Sequence, residues 1–263
     1  MLIHSPYPNP VSDICPIGQL AIPDLEWVVV SPPLVLQKIS SFRGMFTCLK
    51  NRGFNAILEH YFPQVELAIN LEQNHINTLE VALMNDINSV IINEPPYEQN
   101  PLLQCIAVGI QLWGGITGRN AFVKNGGFQN NFSMQVYAHL IELLMTHPAG
   151  VPLPYGNWQA VMDSFDQFHH IGVSFMTKHL SFWSRADDCS IQLPILDRIV
   201  KAKFINPNSD NPVWNDYVRY VVALNEEKAA LTARQNLAEI TIYGMERQLF
   251  NWANLPNLLD WHR

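Results

Sequence analysis

The stretch 170-HIGVSFMTKHLSFWSRADDCSIQLPILDRIVKAKF-204 decides how this chain is read. It opens on a turn with Gly172, runs into Lys178 among Phe175, Met176, Phe182 and Trp183, and after a loop reaches Pro194 and Asp197. The pattern predicts a helix end, a glycine hairpin over residues 169–178, a helix from about Thr177, and a second helix opened by Pro194-Ile195-Leu196-Asp197. Asp197 then stands at a helix N-terminus, where unpaired backbone N–H groups and the helix dipole favour the carboxylate form.

Outward from this segment, polar and apolar residues recur at helical spacing and alternating β-branched runs are few, so the fold class is all-α. Helices are predicted over Pro33–Phe62, Leu102–Trp113, Phe128–Thr146, Trp158–Phe168, Thr177–Arg185, Pro194–Phe204, Val213–Val222 and Leu231–Trp252. Turn clusters separate them at Gly114–Asn120, Lys124–Gly127, His147–Gly156 and Asn206–Pro212. Two short runs, Leu25–Val30 and Ser89–Pro95, suit small strands. Proline is dense in residues 1–35, which are expected to wrap the core as irregular chain. Residues 102–204 form the expected helical core and 213–252 the C-terminal helices of one compact unit spanning 1–263.

Composition narrows the classes. The chain has 263 residues, 48% of them hydrophobic, and no window of about 18 uninterrupted apolar residues, so no membrane partner is expected. The start, MLIHSPYPNP, lacks the basic and apolar regions of a secretory leader. Cys15, Cys48, Cys105 and Cys189 are scattered, with no CxxC pair. They read as isolated thiols of a cytoplasmic protein with no iron–sulfur cluster, zinc or other metal. With 16 basic and 23 acidic residues, the net charge of −7 gives no global reason to expect a polyanion partner. Between His170 and Lys203, however, five basic residues face three acidic ones.

The segment resembles the helix-hairpin-helix base-excision DNA glycosylases, and among them the 8-oxoguanine DNA glycosylase branch. There a hairpin ends in Thr-Lys and the catalytic aspartate follows the lysine by 19 residues; here Thr177-Lys178 precedes Asp197 by the same 19. The run PILDRIVK is also similar to the Pro-Ile-Leu-Asp and Val-Lys of the adenine-specific members. Glycosylase-fold proteins of antiphage operons are similar too, which brings a defence role beside repair. The resemblance covers about 35 residues. It implies that Lys178 is the nucleophile, Asp197 assists it, and the partner is DNA or a modified base or nucleoside, with no cofactor. In the family the hairpin's N–H groups hold a DNA phosphate, often with a monovalent cation, which points to His170, Gly172 and Ser174 as backbone contacts. The family hairpin reads Gly-Val-Gly before its helix; here Ser174 replaces the second glycine, with two more residues before the lysine.

The same carry-over makes Phe182, four residues beyond Lys178, a base-stacking candidate. Arg119 and Asn120, in the turn WGGITGRN, resemble the polar residues that fill the gap left by a flipped base; the turn equally suits a glycine helix cap. Gln248 and Trp252 lie four apart on one helical face, a spacing that serves base recognition or a core stripe. His169 and His170 reach a phosphate or cap the preceding helix. Three functions follow: a glycosylase with lyase chemistry, a glycosylase-fold defence protein acting on an unusual base, nucleoside or other N-glycoside, and a non-catalytic base-recognition module. In the first two, Lys178 and Asp197 are expected to share a cleft.

Overall fold

The computed structural model describes residues 39–71, 73–93, 95–115, 120–124, 127–128, 132–148, 155–205, 212–235 and 240–254. All regular structure among them is helical, and none of these helices is long and apolar enough to cross a membrane. The described residues fall into two compact units, one within Val35–Ile191 and one from Gln192 onward.

The first unit contains α1 (Ile39–Asn51), α2 (Asn55–Asn70), α3 (His75–Ile92), α4 (Leu102–Trp113), the short α5 (Asn120–Val123), α6 (Met134–Met145), α7 (Tyr155–Asp166) and α8 (Val173–Trp183). The helix expected over Pro33–Phe62 is broken in two, because Gly53 adopts φ +82°, a left-handed turn that closes α1. The strand expected at Ser89–Pro95 is corrected: Ser89–Ile92 is the last turn of α3. That helix was missed in the sequence, although Asn74 caps it by accepting from Ile76 N and Asn77 N at 3.2 and 3.1 Å. The possible strand at Leu25–Val30 and the N-terminal wrap lie outside the described residues.

Helix α4 organises this unit. It is apolar around most of its circumference and buried from Ile106 to Trp113, as a helix enclosed on all sides must be. It packs against α2, α3 and α8. At Gly109 a Cβ would lie 2.6 Å from Leu83 Cδ2 and 2.9 Å from Tyr61 Cε2, so only glycine lets these three helices approach so closely. Asp86 of α3 accepts from Tyr61 Oη and lies 2.7 Å from His60 Nε2, which fastens α2 to α3. Burial, then the Asp86 charge, raises the Tyr61 phenol well above its ordinary range.

Gln111 of α4 joins a buried chain of hydrogen bonds. Gln111 Nε2 is 2.7 Å from His179 Nε2, Tyr137 Oη is 2.8 Å from His179 Nδ1, and Trp183 Nε1 donates to Tyr137 Oη at 2.6 Å. The indole can only donate, so Tyr137 Oη accepts from it. The Gln111 amide N–H group also only donates, so His179 Nε2 accepts from it and the imidazole proton sits on Nδ1, directed at Tyr137 Oη.

The second unit holds α9 (Arg198–Phe204), α10 (Trp214–Gln235) and α11 (Ile242–Asn254), with α11 packed on both others. The helix expected from Pro194 begins only at Arg198: residues 191–197 are irregular, and Asp197 is the N-cap itself. Tyr217 Oη donates to the Pro194 carbonyl at 3.0 Å, holding that lead-in against α10. Fully buried Lys201 pairs with Asp216 at 3.0 Å, and Asp216 also accepts from Val213 N. Tyr217 and Tyr220 are raised far above the usual phenol range, by burial first and then by the charge of Glu246.

Burial, and secondarily the Lys178 charge, lowers His179 to a pKa of about 3. Above the unfolded value of about 6.5 both states are neutral; below it only the unfolded chain takes up the proton, so stability falls as pH drops towards the folded value. The free-energy advantage of the wild type over His179→Gln, from urea unfolding, should therefore shrink between pH 6 and pH 4.5 by up to about 1.4 kcal/mol per unit. A difference independent of pH would contradict a neutral buried imidazole.

Candidate active site around Lys178

The helix that carries Lys178 starts earlier than its sequence suggests. Gly172 is the N-cap of α8, with φ −78° and ψ 170°, and the first helical residue is Val173 rather than Thr177. The reason is local: Phe175 N and Met176 N both bond the Gly172 carbonyl, at 2.9 and 3.0 Å, so the expected hairpin tip is already the first helical turn. Just before it, His170 takes φ +60°, uncommon for a side-chain-bearing residue, and reverses the chain out of α7. His170 and Gly172 are exposed, and a Cβ at Gly172 would meet nothing within 4 Å.

Lys178 therefore lies in the second turn of α8, only 6% exposed. Its Nζ donates to the Ser174 carbonyl at 3.0 Å and to Ser174 Oγ at 3.4 Å, one turn back on the same face. The ammonium also stands over the Phe175 ring, 4.8 Å from its centroid. Ser174 is thus a hydrogen-bond partner of the lysine. The i, i+4 spacing of Ser174 and Lys178 is the signal in the sequence, and it becomes a contact because the helix begins at Val173 and not at Thr177.

The stem of Lys178 is confined from α4. A Cβ at Gly114, the C-cap of α4, would lie 2.9 Å from Lys178 Cδ and 2.6 Å from Phe175 Cε1. The preceding Trp113 meets Phe182 edge to face at 5.1 Å, and its indole nitrogen is buried with no hydrogen bond among the described residues. The fully buried Phe182 ring is also covered by the Arg185 guanidinium at 4.3 Å, and Arg185 pairs with Glu80 at 2.7 Å. Phe182 is thus a core contact here, with no open face for a stacked base.

Other predicted residues fall elsewhere. Asn120 is half-buried at the start of α5, and Arg119 lies outside the described residues. Gln248, 2% exposed, donates to the Gly244 carbonyl at 3.4 Å within α11; Trp252 is on the same helix. Asp197 Oδ1 accepts from Ile199 N at 2.8 Å, the N-cap contact expected for it. Lys178 belongs to the first unit, and Asp197 and Gln248 to the second. Among the described residues no three His, Cys, Asp or Glu side chains converge as a metal site. The thiols of Cys48, Cys105 and Cys189 are free, and burial raises the last two above the usual range.

The geometry defines an all-α protein with a sequestered primary amine on a short helix. Compared with family models, curated proteins and solved structures, the chain matches none.

Gly114→Ala tests this confinement. The new methyl must displace Phe175 or the lysine stem, at a cost of about 1–3 kcal/mol. Lys178 should then acetylate several-fold faster with an amine-reactive ester, approaching exposed Lys50, as read by peptide mass spectrometry. Unchanged protection would show that Gly114 does not set the position of the amine.

Proposed function

We propose that the chain is an N-glycosylase-type enzyme with associated lyase chemistry, acting through Lys178 with assistance from Asp197. The observation that supports this reading is the burial of a lysine amine to 6% exposure in the sequence register of the glycosylase nucleophile. A nucleophilic amine needs an apolar setting that disfavours its hydration, together with a group to take its proton. The neutral amine attacks the sugar C1′, the C1′–N bond breaks, and the base departs with the electron pair and accepts a proton. The nitrogen then loses its remaining proton as the sugar ring opens to a Schiff base, and hydrolysis returns the lysine. Asp197 accepts the amine's proton or stabilises the positive charge that develops on the sugar.

Two observations favour a second form of this reading, a defence protein acting on an unusual base, a nucleoside or another N-glycoside. The net charge of −7 disfavours extensive contact with duplex DNA, and the second hairpin glycine is Ser174, whose carbonyl and hydroxyl accept from Lys178. The non-catalytic module recognises a base and omits the chemistry.

Borohydride trapping separates these forms. Incubation with duplexes carrying oxidised or otherwise modified bases should yield a covalent adduct. Lys178→Gln should abolish it, and Asp197→Asn should slow its formation by about 10²-fold or more. Release of free base from a nucleoside, with no adduct on any duplex, would favour the second form. An adduct that survives Lys178→Gln would refute the assigned nucleophile, and neither adduct nor released base would leave the binding module.

A further inference from the structure

Away from Lys178, the first two helices carry a charge pattern that the chain as a whole conceals. Between Glu26 and Glu59 the sequence holds Lys38, Arg43, Lys50 and Arg52 and not one acidic residue, in a chain with 23 acidic and 16 basic residues. Arg43, Lys50 and Arg52 are exposed, and among the described residues none of their side chains makes an ion pair or a hydrogen bond. Three unpaired cations are thus presented along one short helix and the turn that ends it.

Each end of this row borders a cavity with an aromatic wall. Arg43 and Lys50 line a groove of about 540 Å³ between α1 and α2, where the rings of Phe46 and Phe62 lie 3.7 Å apart and Phe62 is half-buried. Arg52 lines a second cavity, of about 450 Å³, beside half-buried Phe54, which meets buried Phe122 edge to face at 5.5 Å. Gln104 brings an amide to this second cavity, with no hydrogen-bond partner among the described residues. Both cavities fall within the size range of ligand sites.

We propose that α1 and the start of α2 form a binding surface for single-stranded nucleic acid. Arg43, Lys50 and Arg52 take successive phosphates, while Phe62 and Phe54 offer ring faces to bases, with Gln104 beside the second. The alternation carries the inference: cation and ring, then cation and ring, matches a strand that repeats phosphate and base, and stacking on aromatic side chains tolerates any base. Arg43 and Lys50 are two helical turns apart, about 10 Å, and Arg52 lies beyond, so the row exceeds one nucleotide. An acidic peptide would use the cations and leave the rings idle. Glu59, on the α2 wall of the groove, opposes any further phosphate there. The surface is independent of the role of Lys178.

The test is fluorescence anisotropy of a labelled twelve-residue oligothymidylate with the full chain. Three phosphate contacts give a salt slope of about −2, so raising potassium chloride from 50 to 200 mM should weaken binding about 20-fold. The combined Arg43→Gln, Lys50→Gln and Arg52→Gln variant should lose at least about tenfold at 50 mM, with unchanged circular dichroism, since none of the three side chains is bonded among the described residues. Phe54→Leu should lose about tenfold through one stacked base. Absence of binding at 50 mM would overturn the proposal, as would full binding by the triple variant or by Phe54→Leu. Displacement of the oligonucleotide by polyglutamate or adenosine monophosphate as readily as by unlabelled oligonucleotide would overturn it in favour of an acidic peptide or a mononucleotide.

Discussion

The buried line of hydrogen bonds from Trp183 through Tyr137 and His179 to Gln111 is the constraint on which the first unit depends. It joins α4, α6 and α8 at their most enclosed point, where polar groups without partners would cost several kcal/mol. Because every donor in it needs one particular acceptor, it sets the rotation of α8 about its own axis. His179 and Lys178 are neighbours in sequence, about 100° apart on the helix. Turning His179 to the core directs Lys178 towards the end of α4, against Gly114 and Phe175. The orientation of the amine is thus a consequence of the core.

The Lys178 environment combines opposed demands. Ser174 and the Phe175 ring satisfy the ammonium, while 94% burial removes most of its water. Such an amine is held in one place, and its reactivity depends on which of the two wins when a substrate replaces the remaining solvent. Ser174 supplies both acceptors: its carbonyl belongs to the first turn of α8 and its hydroxyl is the second.

The second unit buries charge to a degree that its size makes costly. Lys201, Asp216, Glu246 and Arg247 are all buried around α9, α10 and α11, with the amide of Gln248 beside them in α11. A buried pair such as Lys201 and Asp216 adds little net stability, but losing one partner is expensive, so it favours one arrangement of helices over others. Asp197 sits at the edge of that frame, held by Ile199 N beneath it and by Tyr217 on Pro194 before it.

Much of the fold class was legible in the sequence. Helical periodicity marked α4, α7 and α8 to within a few residues and α6 with a start at Phe128 instead of Met134, and the acidic N-cap of α9 was readable because capping needs only local chemistry. The break after α1 was also written there, in Gly53, but a glycine inside an apolar pattern announces a turn only when its φ is known. Helix α3 was missed because an apolar run such as Ser89–Ile92 suits a buried strand as well as a buried helix, and only packing against α2 and α4 chooses. The candidate site shows the same division. In the sequence, the helix-opening Pro194-Ile195-Leu196-Asp197 marked the aspartate as a cap, and a resemblance singled out this lysine and this aspartate. Only the tertiary structure decided that Phe182 is covered by Trp113 and Arg185, that Gly114 confines the lysine stem, and that Ser174 holds the amine. Those contacts join residues as far apart as Trp113 and Phe182 or depend on where a helix begins, and neither is encoded in a local pattern.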